Sequence, residues 1–266
     1  MTASLQVGVQ IRPNHAPWAA LREAWLAADK MGADSIWTFD HFFPIDGDPD
    51  GSSYECWTLL AAMAELTSRA TIGALVTCYG YRNPDLLADM ARTVDHAADG
   101  RLVLGLGSGW MDRDYHEYGF ARPGDGDRIR EMEAAIPRIR RRLERVNPPP
   151  VGAVPLLIGG LGQKLTLGVT ARHADLWNGW GTPDEVRHLN GVLDQHCIAA
   201  QRDPSDVVRT VALFETGTDD LYDDYVAAGA QHLILVRSGP NHRIGELEGL
   251  LHWRDARNSD RSTNTE

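Results

Sequence analysis

The chain has 266 residues, 43% hydrophobic and 24% charged, which is typical of a folded globular domain and excludes wholesale disorder. A formal net charge of −11 disfavours binding to nucleic acid or to an anionic membrane. The three cysteines lack the spacing of a disulfide framework, and no histidine or carboxylate cluster has metal-ligand spacing, so we expect no metal. No signal peptide and no transmembrane stretch is recognisable, which predicts a cytoplasmic protein.

Predicted strands and helices alternate along the whole chain. The first strand, residues 5–11, alternates apolar and polar side chains, and the helix after it ends at Gly32. The other predicted strands cover residues 35–39, 71–77, 102–106, 156–158, 176–177, 207–214 and 233–236. The predicted helices cover residues 21–31, 52–66, 83–100, 127–146, 165–173, 182–201, 222–228 and 244–253. Capping signals support three of the starts: Ser52 with Glu55, Asn83 before Pro84, and Thr182 with Glu185.

Eight strands, each followed by a helix, predict an α/β fold of the (β/α)₈ TIM-barrel type. A doubly wound open sheet is the alternative, but eight units without a domain break favour the barrel. We therefore expect one barrel domain over residues 1–257 and a polar, disordered tail over residues 258–266. The prolines of residues 148–150 are interpreted as a tight connection inside the domain and not as a linker.

Functional residues of a barrel follow the carboxyl ends of its strands. Asp40 and His41 follow the second predicted strand, where a histidine can exchange a proton near neutral pH and Asp40 could orient a polar group. A structural histidine held by hydrogen bonds is the alternative interpretation.

Glycine-rich turns follow the fourth and fifth predicted strands. They contain Gly107-Ser108-Gly109 and Gly159-Gly160-Leu161-Gly162, and glycine lets backbone N–H groups approach an anion or a flat ring. The second turn leads into a helix N-terminus that carries Lys164, a combination that favours a phosphate. Tight packing is the alternative for the first turn, and a plain βα turn is the alternative for the second. The first turn lacks GxGxxG spacing, so a Rossmann fingerprint is not indicated.

Several segments, taken in chain order, resemble the luciferase-like monooxygenase superfamily. Within it, the likeness is greatest to the actinobacterial branch that uses the deazaflavin coenzyme F420. The matching segments are Trp37-Thr38-Phe39-Asp40-His41-Phe42-Phe43-Pro44-Ile45, Tyr81-Arg82-Asn83-Pro84, Thr93-Val94-Asp95, Gly100-Arg101-Leu102, the two glycine turns, and Ala171-Arg172-His173-Ala174-Asp175-Leu176-Trp177-Asn178.

This resemblance implies a flavin-shaped cofactor in the barrel mouth, F420 or alternatively FMN. It implies that His41 lies near the reactive ring carbon. It also implies a non-proline cis peptide behind the ring within Ala74-Leu75-Val76, a segment to which we add Thr77. The cofactor's phosphate and polyol would be held by Gly107, Ser108, Gly109, Gly159, Gly160 and Gly162.

Two departures from the family pattern matter. Relatives that oxidise sugar phosphates carry a glutamate where this chain has Trp110, so we expect another substrate class and count Trp110 among the candidate catalytic residues. In relatives, the segment between the fourth and fifth strands is longer and contains a hairpin near the mouth. Here residues 142–154 take its place, which predicts a short proline-stiffened connection and an exposed cofactor ring. Aromatic candidates for the mouth, which suggest a flat or apolar substrate, are Phe42, Phe43, Tyr79, Trp110 and Trp180.

The leading hypothesis is an oxidoreductase that transfers a hydride between F420 and a small organic substrate, with His41 exchanging the matching proton. The alternatives are an FMN-dependent luciferase-like monooxygenase and a flavin-binding protein without turnover, the last favoured by the short 142–154 segment. Relatives are often dimers, so the resemblance also suggests a homodimer.

Overall fold

Parallel pairing joins the strands of residues 4–263, the part of the chain that this computed structural model describes, into a closed ring. The strands are β1 (Gln6–Ile11), β2 (Ser35–Thr38), β3 (Thr71–Ala74), β4 (Thr77–Cys78), β5 (Leu102–Gly107), β6 (Leu156–Gly159), β7 (Leu176–Gly179), β8 (Val208–Leu213) and β9 (His232–Arg237). The two-residue β4 continues β3, and both pair with β5, so they count as one barrel strand. Because each barrel strand pairs with the next one along the chain and the last, β9, pairs back with β1, no edge is left: the eight-stranded barrel is confirmed and the open sheet is excluded.

Helices cover the outside of the ring, and one short helix lies at its mouth. They are α1 (Trp18–Met31), α2 (Cys56–Leu66), α3 (Pro84–Ala97), α4 (Asp112–Glu117), α5 (Asp125–Leu143), α6 (Thr166–His173), α7 (Pro183–Ala199), α8 (Asp219–Ala227) and α9 (Leu247–Thr263). The predicted caps are confirmed at Gly32, which is left-handed, at Asn83, and at Thr182 with Glu185, which form a reciprocal capping box. The sequence pattern did not predict α4, because six mostly charged residues show no apolar period.

The start of α2 differs from the prediction. The helix begins at Cys56, and the carboxylate of Glu55 accepts hydrogen bonds from the N–H groups of Trp57 and Thr58 at 3.1 and 2.7 Å. Glu55 is therefore the N-cap itself, and the capping box predicted from Ser52 is wrong.

The connection between α5 and β6 contains no strand, which confirms the predicted short link without a hairpin. The carboxylate of Asp95 accepts hydrogen bonds from the N–H groups of Val151 and Gly152, both at 2.8 Å. This segment precedes a strand, so it lies at the amino-terminal end of the barrel, opposite the mouth. The expectation that its shortness exposes the cofactor ring is therefore wrong. The connection at the mouth end of the barrel is residues 108–124, which link β5 to α5 and contain α4.

The last helix extends beyond the predicted boundary. Helix α9 continues to Thr263, where the sequence predicted a disordered tail from residue 258. The side chain of Asn258 accepts from the N–H of Leu5 at 2.8 Å and donates to its carbonyl at 3.0 Å, which fixes the helix beside β1. Residues 264–266 of the predicted tail lie outside the described residues. Within residues 4–263, no helix is long and apolar enough to cross a membrane.

The barrel interior is filled by Trp37, Val103, Leu157 and Ile234, which form one buried cluster. Leu75 and Val76 pack against this cluster on the side of the barrel mouth. The filled interior gives the mouth a solid floor, as is typical of this fold.

Candidate functional site

A cavity of about 550 Å³ opens at the carboxyl ends of the strands, a size suited to a small ligand. All eight barrel strands, or the loops directly after them, contribute to its wall. The lining residues are Gln10, Arg12, Phe39, Asp40, His41, Ile45, Leu75, Val76, Cys78, Gly107, Ser108, Gly109, Trp110, Gly159, Gly160, Asn178, Trp180, Ala212, Phe214 and Val236. The position of the cavity is the one that barrel enzymes use for catalysis.

His41 lines this cavity, and its imidazole is hydrogen-bonded to the carboxylate of Asp114. The Nδ1 atom of His41 lies 2.6 Å from Oδ2 of Asp114, whose side chain is fully buried. Because a carboxylate only accepts, Nδ1 carries the proton in this pair. The other ring nitrogen, Nε2, is then the one available to a ligand in the cavity.

Asp114 accepts two further hydrogen bonds. They come from the N–H of Phe42 at 3.0 Å and from the hydroxyl of Tyr81 at 2.9 Å. Burial, together with the nearby Cys78 and Asp114, raises the pKa of Tyr81 and keeps its phenol protonated as a donor. Three donors fix the orientation of this carboxylate and, through it, of the imidazole. Sequence reasoning missed Asp114, although an acidic residue shortly after the fourth-strand glycine turn was a usable signal.

Asp40 also lines the cavity, but its partner is Arg82 and not His41. Two nitrogens of Arg82 contact its carboxylate oxygens at 2.5 and 3.0 Å, and the N–H of Cys78 donates to it at 3.1 Å. Burial raises the pKa of Asp40, and the charge of Arg82 opposes that rise. Asp40 therefore ties the end of β2 to β4 and to the start of α3, which is a bracing role beside the cavity.

The floor of the cavity is the break between β3 and β4. The Leu75–Val76 peptide is cis, as the resemblance implied, and both residues line the cavity. The side-chain amide of Gln10 donates to the carbonyl of Leu75 at 2.6 Å. Ala74 and Thr77, which flank this pair, are buried outside the cavity wall.

Two of the predicted glycines are required by packing against Val76. A Cβ atom added to Gly107 would lie 2.5 Å from Cγ2 of Val76, and one added to Gly159 would lie 2.9 Å from Cγ1. Packing therefore accounts for glycine at these two positions, as the alternative for the first turn predicted at Gly107. Their backbones still line the cavity.

Gly109 and Gly160 have left-handed backbone conformations, with φ of +75° and +134°. A Cβ on Gly160 would meet Cγ2 of Thr166 at a tight 3.2 Å and no other atom within 4 Å. The indole N–H of Trp177 donates to the carbonyl of Gly160 at 2.9 Å and fixes the turn. The N–H of Gly160 donates to the carbonyl of Asn178 at 3.0 Å, so the donors that fit the phosphate of a flavin-type cofactor are the N–H groups that follow it, at the N-terminus of α6. Gly162 and Lys164 lie exposed in the same turn, outside the cavity wall.

Two of the five predicted mouth aromatics line the cavity. Trp110 is 60% exposed, and its ring lies 5.3 Å from the His41 ring in an edge-on arrangement. Trp180 lines the cavity directly after β7. The other three make contacts elsewhere: Phe42 stacks on Tyr118 at 4.0 Å, Phe43 lies under the guanidinium of Arg113, and Tyr79 donates to Glu131. Their assignment to the cavity is wrong, because the loop after β2 turns Phe42 and Phe43 towards α4 and the residues that follow it, and the turn after β4 directs Tyr79 towards α5.

The comparisons with known proteins agree with this geometry. An F420-dependent glucose-6-phosphate dehydrogenase of Amycolatopsis mediterranei (strain U-32) is 32% identical over 123 residues, 45% of this chain and 36% of that enzyme. The chain thus matches about a third of the length of such curated relatives.

Two solved structures share the fold. An F420-dependent secondary alcohol dehydrogenase in complex with an F420–acetone adduct superposes with a TM-score of 0.82 at 16% identity, over 94% of this chain and 98% of the other. A type II Baeyer–Villiger monooxygenase of Pseudomonas putida, in complex with FMN, gives a TM-score of 0.64 at 16% identity, over 82% and 69%. The family model described as luciferase-like monooxygenase matches residues 1–221. The chain therefore belongs to the luciferase-like monooxygenase family of oxidoreductases.

Proposed function

We propose that this chain is an oxidoreductase that transfers a hydride between coenzyme F420 and a small organic substrate, with His41 exchanging the matching proton. The observation that carries the proposal is the His41–Asp114 pair at the edge of the cavity. A flavin-binding protein without turnover has no need of a buried carboxylate that orients an imidazole towards its ligand.

The residues that would hold the cofactor lie in two places, on the floor of the cavity and in its wall. Leu75 and Val76 present an apolar floor for a flat ring, and the chain after Gly160, at the N-terminus of α6, presents backbone N–H groups to a phosphate. When bound, the deazaflavin would supply the hydride chemistry. The protein's part is to position the ring, to hold or deliver a proton at Nε2 of His41, and to shape the space for the substrate.

F420 is favoured over FMN by the curated relatives whose names specify a cofactor. The matched glucose-6-phosphate dehydrogenase is F420-dependent by its name. Its sugar-phosphate substrate is not transferred to this chain, because Trp110 stands where such relatives carry a glutamate. The FMN complex with the same fold keeps an FMN-dependent monooxygenase as the second candidate.

The test is turnover by purified protein. Reduced F420 is mixed with a panel of ketones, aldehydes and enones, and oxidised F420 with the corresponding alcohols, while the deazaflavin absorbance is followed. We expect turnover with at least one class, its loss in His41→Asn, and its retention in a control, His252→Asn, on the exposed surface of α9. Oxygen-dependent turnover with reduced FMN, and none with F420, would instead support the second candidate.

A further inference from the structure

The mouth cavity has two chemically different sides. The loops after β5 and β6 offer mainly glycine and backbone, with Trp110 as their large side chain, whereas the loops after β7, β8 and β1 offer Trp180, Phe214 and Arg12. Counted around the closed ring, β1 lies opposite β6, and β7 lies opposite β2. Arg12 therefore faces the Gly159–Gly160 turn across the cavity, and Trp180 faces His41. If the glycine side holds the cofactor's phosphate, the opposite side is left for the substrate.

Arg12 is a guanidinium with incomplete partners. Its side chain is 15% exposed; Nε donates to Gln10 at 3.2 Å, and Nη1 lies 3.3 Å from the carboxylate of Asp46. No residue of the described chain accepts a hydrogen bond from its Nη2. Asp46 is 42% exposed and also accepts from Ser238 at 2.9 Å, so it neutralises Arg12 only in part. Arg82, by comparison, contacts two carboxylates, Asp40 and Glu55, each at 2.5 Å.

The electrostatics agree with this geometry. Burial lowers the pKa of Arg12, and the charge of Asp46 only partly opposes that change. A second carboxylate at the cavity side of the guanidinium would complete its set of acceptors. Arginine is suited to such a partner, because its planar fork can donate two parallel hydrogen bonds to a carboxylate.

Exposed aromatic side chains lie beside the guanidinium of Arg12. Phe214 is 50% exposed and Trp180 is 41% exposed, and both rings line the cavity. The guanidinium carbon of Arg12 lies 5.7 Å from the centre of the Phe214 ring, so charge and aromatic surface are contiguous. An apolar ligand body placed here would cover surface that the protein leaves open to water.

We propose that Arg12 binds a carboxylate of the substrate, whose apolar body packs against Trp180 and Phe214 with its reacting carbon towards His41. This proposal rests on the proposed function, since it assigns a substrate class to the same cavity. It predicts that the enzyme acts on a carboxylic acid with a flat or aliphatic body, and that the neutral analogue of that acid is a poor ligand.

The test compares charged and neutral probes on the same protein. Protein saturated with F420 is titrated calorimetrically with 2-naphthoate, benzoate and decanoate, and then with the three corresponding primary amides. We expect at least one acid to bind the wild type roughly tenfold or more tightly than its amide, as for a charge-assisted hydrogen-bond pair. Arg12→Gln should abolish that preference, and Arg12→Lys should restore only part of it. The control Arg187→Gln, at an exposed ion pair on α7, should keep it.

Separate titrations with F420 alone distinguish the possible failures. Equal binding of every acid and its amide by the wild type, no binding of any probe, or an unchanged preference in Arg12→Gln would overturn the proposal. Loss of F420 affinity in Arg12→Gln would also overturn it, because Arg12 would then belong to the cofactor site. Failure of the wild type to bind F420 at all would refute the proposed function, and the probe titrations on FMN-loaded protein would still decide the carboxylate site.

Discussion

Nδ1 of His41 lies 2.6 Å from a carboxylate oxygen of Asp114, which follows it by 73 residues in the chain. The loop after β2 and the short helix α4 after β5 thus meet at the cavity edge. Asp114 is fully buried and holds the backbone of Phe42 as well as the imidazole. The position of the imidazole is therefore set by two separate elements of the barrel mouth.

Replacing His41 with asparagine should lower turnover by roughly 10²–10⁴-fold, the usual contribution of a positioned acid or base. The affinity for F420 should change far less, because the apolar floor and the glycine turn remain. Steady-state kinetics and a fluorescence titration of the same variant check both statements. Near wild-type turnover would show that His41 only packs against Trp110 and Phe39, whose rings lie 5.3 and 5.1 Å away.

Replacing Asp114 with asparagine should lower kcat by roughly 10- to 150-fold, because a hydrogen bond to a charged group contributes about 1.5–3 kcal/mol. Asp114 is a positioning residue, so KM and F420 affinity should change little, and Asp114→Glu should recover part of kcat. A loss confined to thermal stability, with kcat unchanged in the folded fraction, would assign Asp114 a purely structural role.

Much of the barrel could be predicted because strand and helix periods are local properties of the sequence. The contacts of the candidate site are not local. His41 was recognisable from its place after a strand, but Asp114 lies in a helix too short and too charged to show a period. The same limit applies to Asp40, whose partner Arg82 is 42 residues away. Residues 142–154 were predicted correctly to form a short connection without a hairpin, but this connection was placed at the wrong end of the barrel.

Gly160→Val should weaken F420 binding at least tenfold while the barrel stays folded. The new side chain would project beside the turn's backbone, and φ of +134° disfavours a β-branched residue. Fluorescence titration measures the affinity, and circular dichroism monitors the fold. A matched control is Gly191→Val, on the exposed face of α7, where a Cβ atom meets nothing within 4 Å. Unchanged affinity in a folded Gly160→Val would place the phosphate elsewhere.

The free energy of unfolding should fall as the pH is lowered from 6.5 towards 4, in part because of His232. This residue is buried beside Ser35, with Nε2 2.9 Å from its hydroxyl, and burial lowers the pKa of His232 to about 4. Between that value and the ordinary 6.5, the unfolded chain binds more protons than the folded one, so acid favours unfolding. The stabilisation is complete above the unfolded pKa, and the predicted loss is about 3 kcal/mol.

Urea unfolding at a series of pH values measures this slope, and His232→Gln supplies the comparison. The variant should show a shallower decline over the same range. Identical slopes in the two proteins would assign the pH dependence to other groups.

Whether the protein is a deazaflavin-dependent oxidoreductase is decided most sharply by titrating the cofactor-free protein with F420 and with FMN in separate experiments. Ligand fluorescence reports occupancy, and Gly160→Val in parallel shows whether binding uses the predicted turn. We predict saturable binding of F420 that is at least roughly tenfold tighter than that of FMN, a difference of about 1.4 kcal/mol. Tighter binding of FMN, or no binding of F420, would contradict the claim.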